Sequence, residues 1–306
     1  MENPDLINDI RDKYKDLGEN PDTYLNGLLY AKPLNYWDYI QRDALLNLQH
    51  PRTDFEDEEI FIIYHQITEL ILKLIMNEVK QIHKQETLTE EFLLVKIKRI
   101  NRYTAMLVNS FDIMGKGMDY DDYNKFRLTL APASGFQAVS FRYLEFYITG
   151  IENLVNERGR ARLPENPVLE DYFRNLYWKD AGYDHKTGNK TLTLRQFEEK
   201  YAEELLTLAK KMQGQTLDLK IARMGELSPE LKRELRLFDQ LYNIHWPLVH
   251  INTARTYLDA KGENKAATGG SEWKKYLHPA FQRRKFFPQL WSAEELENWA
   301  KEFLDY

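Results

Sequence analysis

Seven histidines and no cysteine among 306 residues leave imidazole nitrogen and carboxylate oxygen as the side-chain metal chemistry open to this chain. His65 lies in the most apolar stretch, residues 60–76, one helical turn before Glu69. A zinc protease needs two histidines around a glutamate on one helix, and His65-Gln66-x-x-Glu69 does not supply the second. On an apolar helix a histidine is more often a hydrogen-bonded core residue than a ligand. His250 has a different setting. On a helix Trp246, His250, Ala254 and Tyr257 share one face at four- and three-residue steps. A flat aromatic and a small alanine then flank the imidazole, which suits it to present a ring nitrogen to a planar cofactor. A packed core histidine has the same periodicity, and His245, five residues earlier and rotated away, is a rival. Spacing alone leaves these readings open.

The elements that position these residues read as helices. Apolar positions Phe61, Ile67, Leu70, Ile71, Leu74 and Ile75 recur in threes, fours and ones, predicting a helix buried on most of its circumference. Thr87 and Glu90 have capping-box spacing. They open a helix with Leu93, Ile97, Ile100, Leu107, Phe111 and Met114 on one stripe, ending at Gly115 and Gly117. A third helix is expected from about Phe136 to Thr149. Thr193 with Gln196 predicts a cap for a helix that turns Phe197, Tyr201, Leu205, Leu208 and Met212 inward. Ser228-Pro229 opens the next, which carries Leu231, Leu235 and Phe238 and continues past Pro247 with a kink. Alternating strand patterns are scarce, so the fold class is all-α. The breaks at 163–167, 182–190 and 261–270 read as loops within one bundle spanning 1–306.

Composition narrows the function classes. The chain is 43% hydrophobic and 13% aromatic, enough for a sizeable core. A net charge of −6 and pI near 5.8, without a block of basic residues, argue against a nucleic-acid surface. Without cysteine there are no disulfides, thiolate-bound metals or thioether-attached cofactors. Residues 1–13 are acidic and polar with no signal-peptide core, and His65, Gln66, Glu69 and Lys73 interrupt the most apolar window. The expectation is a cytoplasmic protein with no membrane partner.

Four segments together carry a family resemblance. Tyr36 and Tyr39 are followed by Asp43, Leu45, Leu46, Gln49 and Pro51. Phe61-Ile62-Ile63-Tyr64-His65-Gln66 continues to Glu69-Leu70 and Lys73. Tyr123, Phe126, Arg127 and Leu130 precede Pro132-Ala133-Ser134-Gly135-Phe136-Gln137 and Phe141-Arg142-Tyr143-Leu144-Glu145-Phe146. Trp246 and His250 precede Lys265, Thr268-Gly269-Gly270-Ser271 and Tyr276-Leu277. In this order they resemble the tryptophan 2,3-dioxygenase family, over roughly half the chain.

The resemblance implies a helical bundle enclosing a non-covalent b-type haem with ferrous iron. His250 is its implied axial ligand, preferred to His245 because only His250 has a tryptophan four residues before it. Trp246, Phe141, Ser134 and Gly135 are implied to line the haem. The implied reaction cleaves the indole C2–C3 bond of L-tryptophan with O2 to give N-formylkynurenine. His65, on the distal side, accepts a hydrogen bond from the indole N–H, and Arg127 pairs with the substrate carboxylate. Thr268 bonds the substrate's ammonium or carboxylate, while Phe61, Tyr123 and Leu130 wall the indole. Tyr36 and Tyr39, within segment 1–50, resemble residues that reach a neighbouring subunit's site, implying a homotetramer.

Some positions depart from the family pattern. Leu70-Ile71-Leu72 replaces Leu-Trp-Phe. The glycine-rich loop reads Ala267-Thr268-Gly269-Gly270-Ser271-Glu272-Trp273, without the outer glycines, and the stretch leading to it is about four residues longer and more charged. An arginine expected after the axial ligand has Arg255 as its nearest counterpart. Such changes bear on substrate choice, and another indole- or tyrosine-derived substrate for the same haem pocket is the alternative.

Overall fold

The computed structural model describes residues 5–130, 133, 135–183, 187–259 and 277–304. Among them there is no β-strand, only an isolated bridge between Tyr183 and Lys190, so the all-α reading holds. The chain divides into two compact units, Met1–His50 and Pro51–Tyr306.

In the first unit α1 (Leu6–Asp16) and α2 (Pro21–Leu28) are followed by single turns α3 (Tyr36–Tyr39) and α4 (Arg42–Leu45). Local chemistry starts them. The Asn20 side chain accepts the Asp22 N–H at 3.0 Å with Pro21 in the first turn, and Asn35 accepts the Asp38 N–H at 2.9 Å. None of the four contains a buried residue.

The second unit is built on α5 (Asp57–His83) and α6 (Glu90–Asn109). Asp57, Glu58 and Glu59 open α5, and Lys80 and His83 close it, each charge opposing the helix dipole. Ile71, Leu72, Ile75, Val79 and Ile82 face the core. Leu70 and Leu74 do not: both are exposed, as is Ile63, so α5 is buried on fewer sides than the periodicity predicts. The cap of α6 is Thr89, whose hydroxyl accepts the Phe92 N–H at 3.3 Å, and not Thr87. Glu90 is drawn away from the local box to accept the Ser228 N–H at 3.0 Å. The stripe predicted as one helix breaks at Ser110, and α7 (Phe111–Gly117) follows. Gly115 lies inside α7 instead of ending it. A Cβ there would stand 3.3 Å from Thr253 Oγ1, so its smallness serves a close helix approach.

Next come α8 (Tyr120–Phe126), a 3-10 turn Arg127–Leu130, a second 3-10 turn Gly135–Gln137, and α9 (Val139–Ile148). Short helices α10 (Glu157–Arg160), α11 (Leu169–Arg174) and α12 (Tyr177–Asp180) lead to α13 (Leu192–Met212). Its cap is Thr191, accepting the Leu194 N–H at 3.2 Å; Thr193, the predicted cap, is buried inside the first turn. Phe197, Leu205 and Met212 face inward as expected. After α14 (Leu217–Ala222), α15 (Pro229–Gln240) starts at Ser228 as the sequence predicts, with the Ser228 hydroxyl accepting the Leu231 N–H at 3.3 Å.

Between α15 and α16 (Trp246–Leu258) the expected kink takes the form of a π-helical turn, Leu241–His245. There the Trp246 N–H bonds the Leu241 carbonyl, five residues back. Continued by one residue, this register would need an N–H from Pro247 at the Tyr242 carbonyl. Proline has none, and Arg284 Nη2 lies 3.4 Å from that carbonyl instead. Asp239 locks the same junction. Fully buried, it accepts from Asn243 Nδ2 at 2.7 Å, Phe286 N at 2.9 Å, Trp291 Nε1 at 3.0 Å and Phe287 N at 3.1 Å. The register of α16, and so the direction of His250, is set here.

Candidate active site

α7 and α8 each contact both α5 and α16. The cluster between them is aromatic: buried Tyr64, Phe126 and Tyr257 with Met114 and Met118, and half-buried Phe61, Phe111, Tyr123 and Leu130. Phe61 and Phe126 rings lie 5.8 Å apart edge to face, and Tyr123 and Tyr257 rings 4.5 Å apart.

His250, on α16, is set deep in this region, and burial together with the nearby His65 drives its imidazole pKa down to about 4. Its surface is nonetheless exposed. The Phe111 ring stacks beside it, centroids 5.5 Å apart at 28°. His245 is placed otherwise. It is exposed on the π-helical turn with its ring 6.4 Å from that of Phe303, near the C-terminal end.

His65, on α5, stands near His250, close enough to disfavour its charge. Burial lowers the His65 pKa as well, so both imidazoles are neutral at pH 7. His65 Nδ1 lies 2.7 Å from the Phe61 carbonyl. A carbonyl only accepts, so Nδ1 carries the proton and Nε2 presents a lone pair. The Phe61 ring packs 4.2 Å from the imidazole and fixes its plane.

Arg127 starts the 3-10 turn after α8 and is buried, its Nε donating to Asn124 Oδ1 at 3.3 Å. Burial raises the pKa of neighbouring Tyr123, and Arg127 opposes the rise. Phe141 stacks on Trp246 at 4.1 Å and 25°. The Trp246 indole Nε1 is buried and has no acceptor among the described residues.

The structure thus brings together Phe61, His65, Tyr123, Leu130 and His250, with Arg127 next to Tyr123, and Trp246, one turn before His250 on α16, stacked on Phe141 of α9. Gly135 sits in an exposed 3-10 turn with no atom near where a Cβ would be. Ser134 and Thr268 lie outside the described residues. Tyr36 and Tyr39 are in the first unit, exposed at 70% and 74%. Among the described residues no three His, Asp or Glu side chains converge as a metal-ligand set. Sequence reasoning passed over Asn124, and it read Phe111 only as one more apolar residue of a helical stripe. Periodicity carries no signal for a ring stacked on an imidazole from another helix.

Comparisons with known proteins agree on one family. The family model described as tryptophan 2,3-dioxygenase matches residues 28–211. A protein named tryptophan 2,3-dioxygenase from Ruegeria sp. (strain TM1040) is 27% identical over 270 residues, 86% of this chain and 92% of its own. One of the same name from Bacillus thuringiensis subsp. konkukian is 28% identical over 277 residues, 86% of this chain and 93% of its own. Another, from Ruegeria pomeroyi, is 33% identical over 138 residues, 44% of this chain and 49% of its own.

Proposed function

The chain belongs to the tryptophan 2,3-dioxygenase family, and on that footing we propose that it is an oxidoreductase inserting dioxygen into L-tryptophan at the indole C2–C3 bond, yielding N-formylkynurenine. The observation that carries the reading is the pair of neutral imidazoles, His65 on α5 and His250 on α16, brought to one aromatic enclosure from sequence positions far apart.

The enclosure fits a b-type haem. His250, its imidazole held neutral by burial, would hold the haem iron through a ring nitrogen. Trp246, one turn before His250 and with a buried Nε1 that has no partner among the described residues, would supply a hydrogen-bond donor to the group. Bound at His250, the haem would supply the iron at which dioxygen is activated.

The chain's own residues orient and enclose the substrate. His65 Nε2, its Nδ1–H committed to the Phe61 carbonyl, accepts the indole N–H and stays an acceptor at neutral pH because burial holds the ring unprotonated. Arg127, its Nε held by Asn124 Oδ1, pairs with the α-carboxylate. Phe61, Tyr123 and Leu130 give the indole flat apolar walls and exclude water. Thr268 takes the ammonium or carboxylate from its loop.

The assembly we propose is a homotetramer in which Tyr36 and Tyr39 complete a neighbour's site. Uncovered apolar surface supports this: Leu28, Leu29, Tyr30, Tyr36, Trp37 and Tyr39 in the first unit, and separately Ile63, Leu70 and Leu74 on α5. Among the described residues no helix is long and apolar enough to cross a membrane.

The decisive experiment reduces haem-loaded protein anaerobically, adds L-tryptophan, then admits air. A Soret shift on tryptophan addition followed by the absorbance of N-formylkynurenine is the expected result. Ferrous protein that ignores tryptophan and forms no product would overturn the substrate assignment.

A further inference from the structure

Asn124 is engaged on three sides. From α8 its Nδ2 donates to the Tyr120 carbonyl at 2.9 Å, one turn back, and to the Tyr257 carbonyl at 3.2 Å, near the end of α16. Its Oδ1 accepts from Arg127 Nε at 3.3 Å. One amide orientation alone satisfies all three partners, because two carbonyls demand N–H donors and the guanidinium demands an acceptor. The opposite orientation would set oxygen against two carbonyl oxygens and an NH2 against a guanidinium N–H.

Tyr257 is itself anchored. Its hydroxyl donates to the Met114 carbonyl and lies 3.2 Å from that of Met118. It stands two turns beyond His250 on the same face of α16. One short side chain therefore links the arginine that follows α8 to the helix that carries His250. A long arginine side chain left to itself samples many rotamers, and a guanidinium that wanders cannot register a carboxylate against a ring.

We propose that Asn124 is a positioning residue. It fixes the Arg127 guanidinium relative to α16, so that a substrate's α-carboxylate and its indole ring are registered against the same helix. The inference rests on the reading of Arg127 as carboxylate partner.

The test compares two ligands that differ in the carboxylate alone. Dissociation constants for L-tryptophan and tryptamine are read from the Soret shift of the ferrous, haem-loaded protein under argon, for wild type, Asn124→Ala, Arg127→Leu and the double variant. Steady-state KM and kcat for L-tryptophan accompany them. Asn124→Ala is expected to weaken L-tryptophan about tenfold, the scale of one lost hydrogen bond to a charged group, and tryptamine by less than about twofold. The loss should fall on KM and leave kcat within about threefold, as expected where ground-state and transition-state binding are lost together. In the Arg127→Leu background, Asn124→Ala should add nothing. A merely structural role would weaken both ligands alike. If Asn124→Ala keeps the wild-type preference for L-tryptophan over tryptamine while Arg127→Leu abolishes it, the positioning role is wrong and the carboxylate reading stands. If Arg127→Leu also keeps the preference, the carboxylate reading fails and takes this proposal with it. Should Asn124→Ala not load haem, Asn124→Ser, which retains a donor for the Tyr120 carbonyl and withdraws the amide oxygen from Arg127, serves instead under the same criteria.

Discussion

Residues 1–50 and residues 51–306 are both helical, yet they use their apolar side chains in opposite ways. α2 and α3 start at side-chain caps, Asn20 and Asn35, and none of α1–α4 buries a residue. α5, α6 and α15 interlock Leu72, Ile75, Ile97, Ile100, Leu231 and Leu235 into one core where none is more than 1% exposed. The difference teaches that helix formation and core formation are separable. Caps and propensity place a helix, but its apolar face is worth little free energy until another surface takes it out of water. A second contrast lies inside the larger unit. Around Leu72 the interior is filled by side chains, whereas around His250 a deep residue stays uncovered. One interior is complete within the chain, and the other is where we propose that the haem binds.

The largest effect that would break this second contrast is at His250. His250→Ala should purify without stoichiometric haem while keeping the helical circular dichroism of the wild type, and His245→Ala should keep its haem. Haem retained by the first variant and lost by the second would move the ligand role to His245. The contrast between units is sharpened by a pair of leucines. Leu72→Ala should destabilise the folded chain by about 2–5 kcal/mol, read by chemical denaturation, because it opens a cavity in a closed core. Leu29→Ala, at a side chain 76% exposed, should change that unfolding free energy by under about 0.5 kcal/mol and should shift the assembly toward smaller species in sedimentation. Equal losses of stability in the two variants would erase the distinction.

The smallest effect expected is one of pH. Burial depresses the His250 pKa to about 4 from an ordinary 6.5, so the unfolded chain binds the proton first as pH falls. Stability associated with this group is whole above about pH 6.5 and is lost progressively as pH drops toward 4. The haem-free protein should therefore melt at lower temperature at pH 5 than at pH 7, and His250→Ala should show a shallower decline over that window. An unchanged slope in the variant would mean that His250 is not held neutral by burial.

The helical content was legible in the sequence because apolar period is a local property. The helices α5, α6, α13 and α15 appear where periodicity placed them and Ser228-Pro229 starts α15, although Leu70 and Leu74 of the α5 stripe are exposed and the stripe of α6 breaks at Ser110. Boundaries were less legible, for an identifiable reason. Thr87 and Thr89 are both plausible caps by type, and the box expected at Thr87 dissolves because Glu90 finds a better partner in the Ser228 backbone, 138 residues away. Thr193 gives way to Thr191 because packing buries the later hydroxyl. The four motif segments announced the family, and they single out the residues that we propose for the site. Ser134 and Thr268, which the same motifs singled out, fall outside the described residues.

By itself, then, the sequence determined an all-helical chain with histidine as its only nitrogen ligand, and a family. These follow from composition, periodicity and motif order, none of which requires knowing what touches what. Only the tertiary structure set the His250 ring beside Phe111 and the His245 ring near Phe303, across a π-helical turn stabilised from Asp239 and the distant segment at Arg284 to Trp291. It alone decided that His65 offers Nε2, since the proton on Nδ1 is fixed by the Phe61 carbonyl. It alone tied Arg127 to α16 through Asn124. The Asn124–Tyr257 bond spans 133 positions and the Arg284–Tyr242 and Trp291–Asp239 bonds 42 and 52, and bonds over such separations leave no periodic trace.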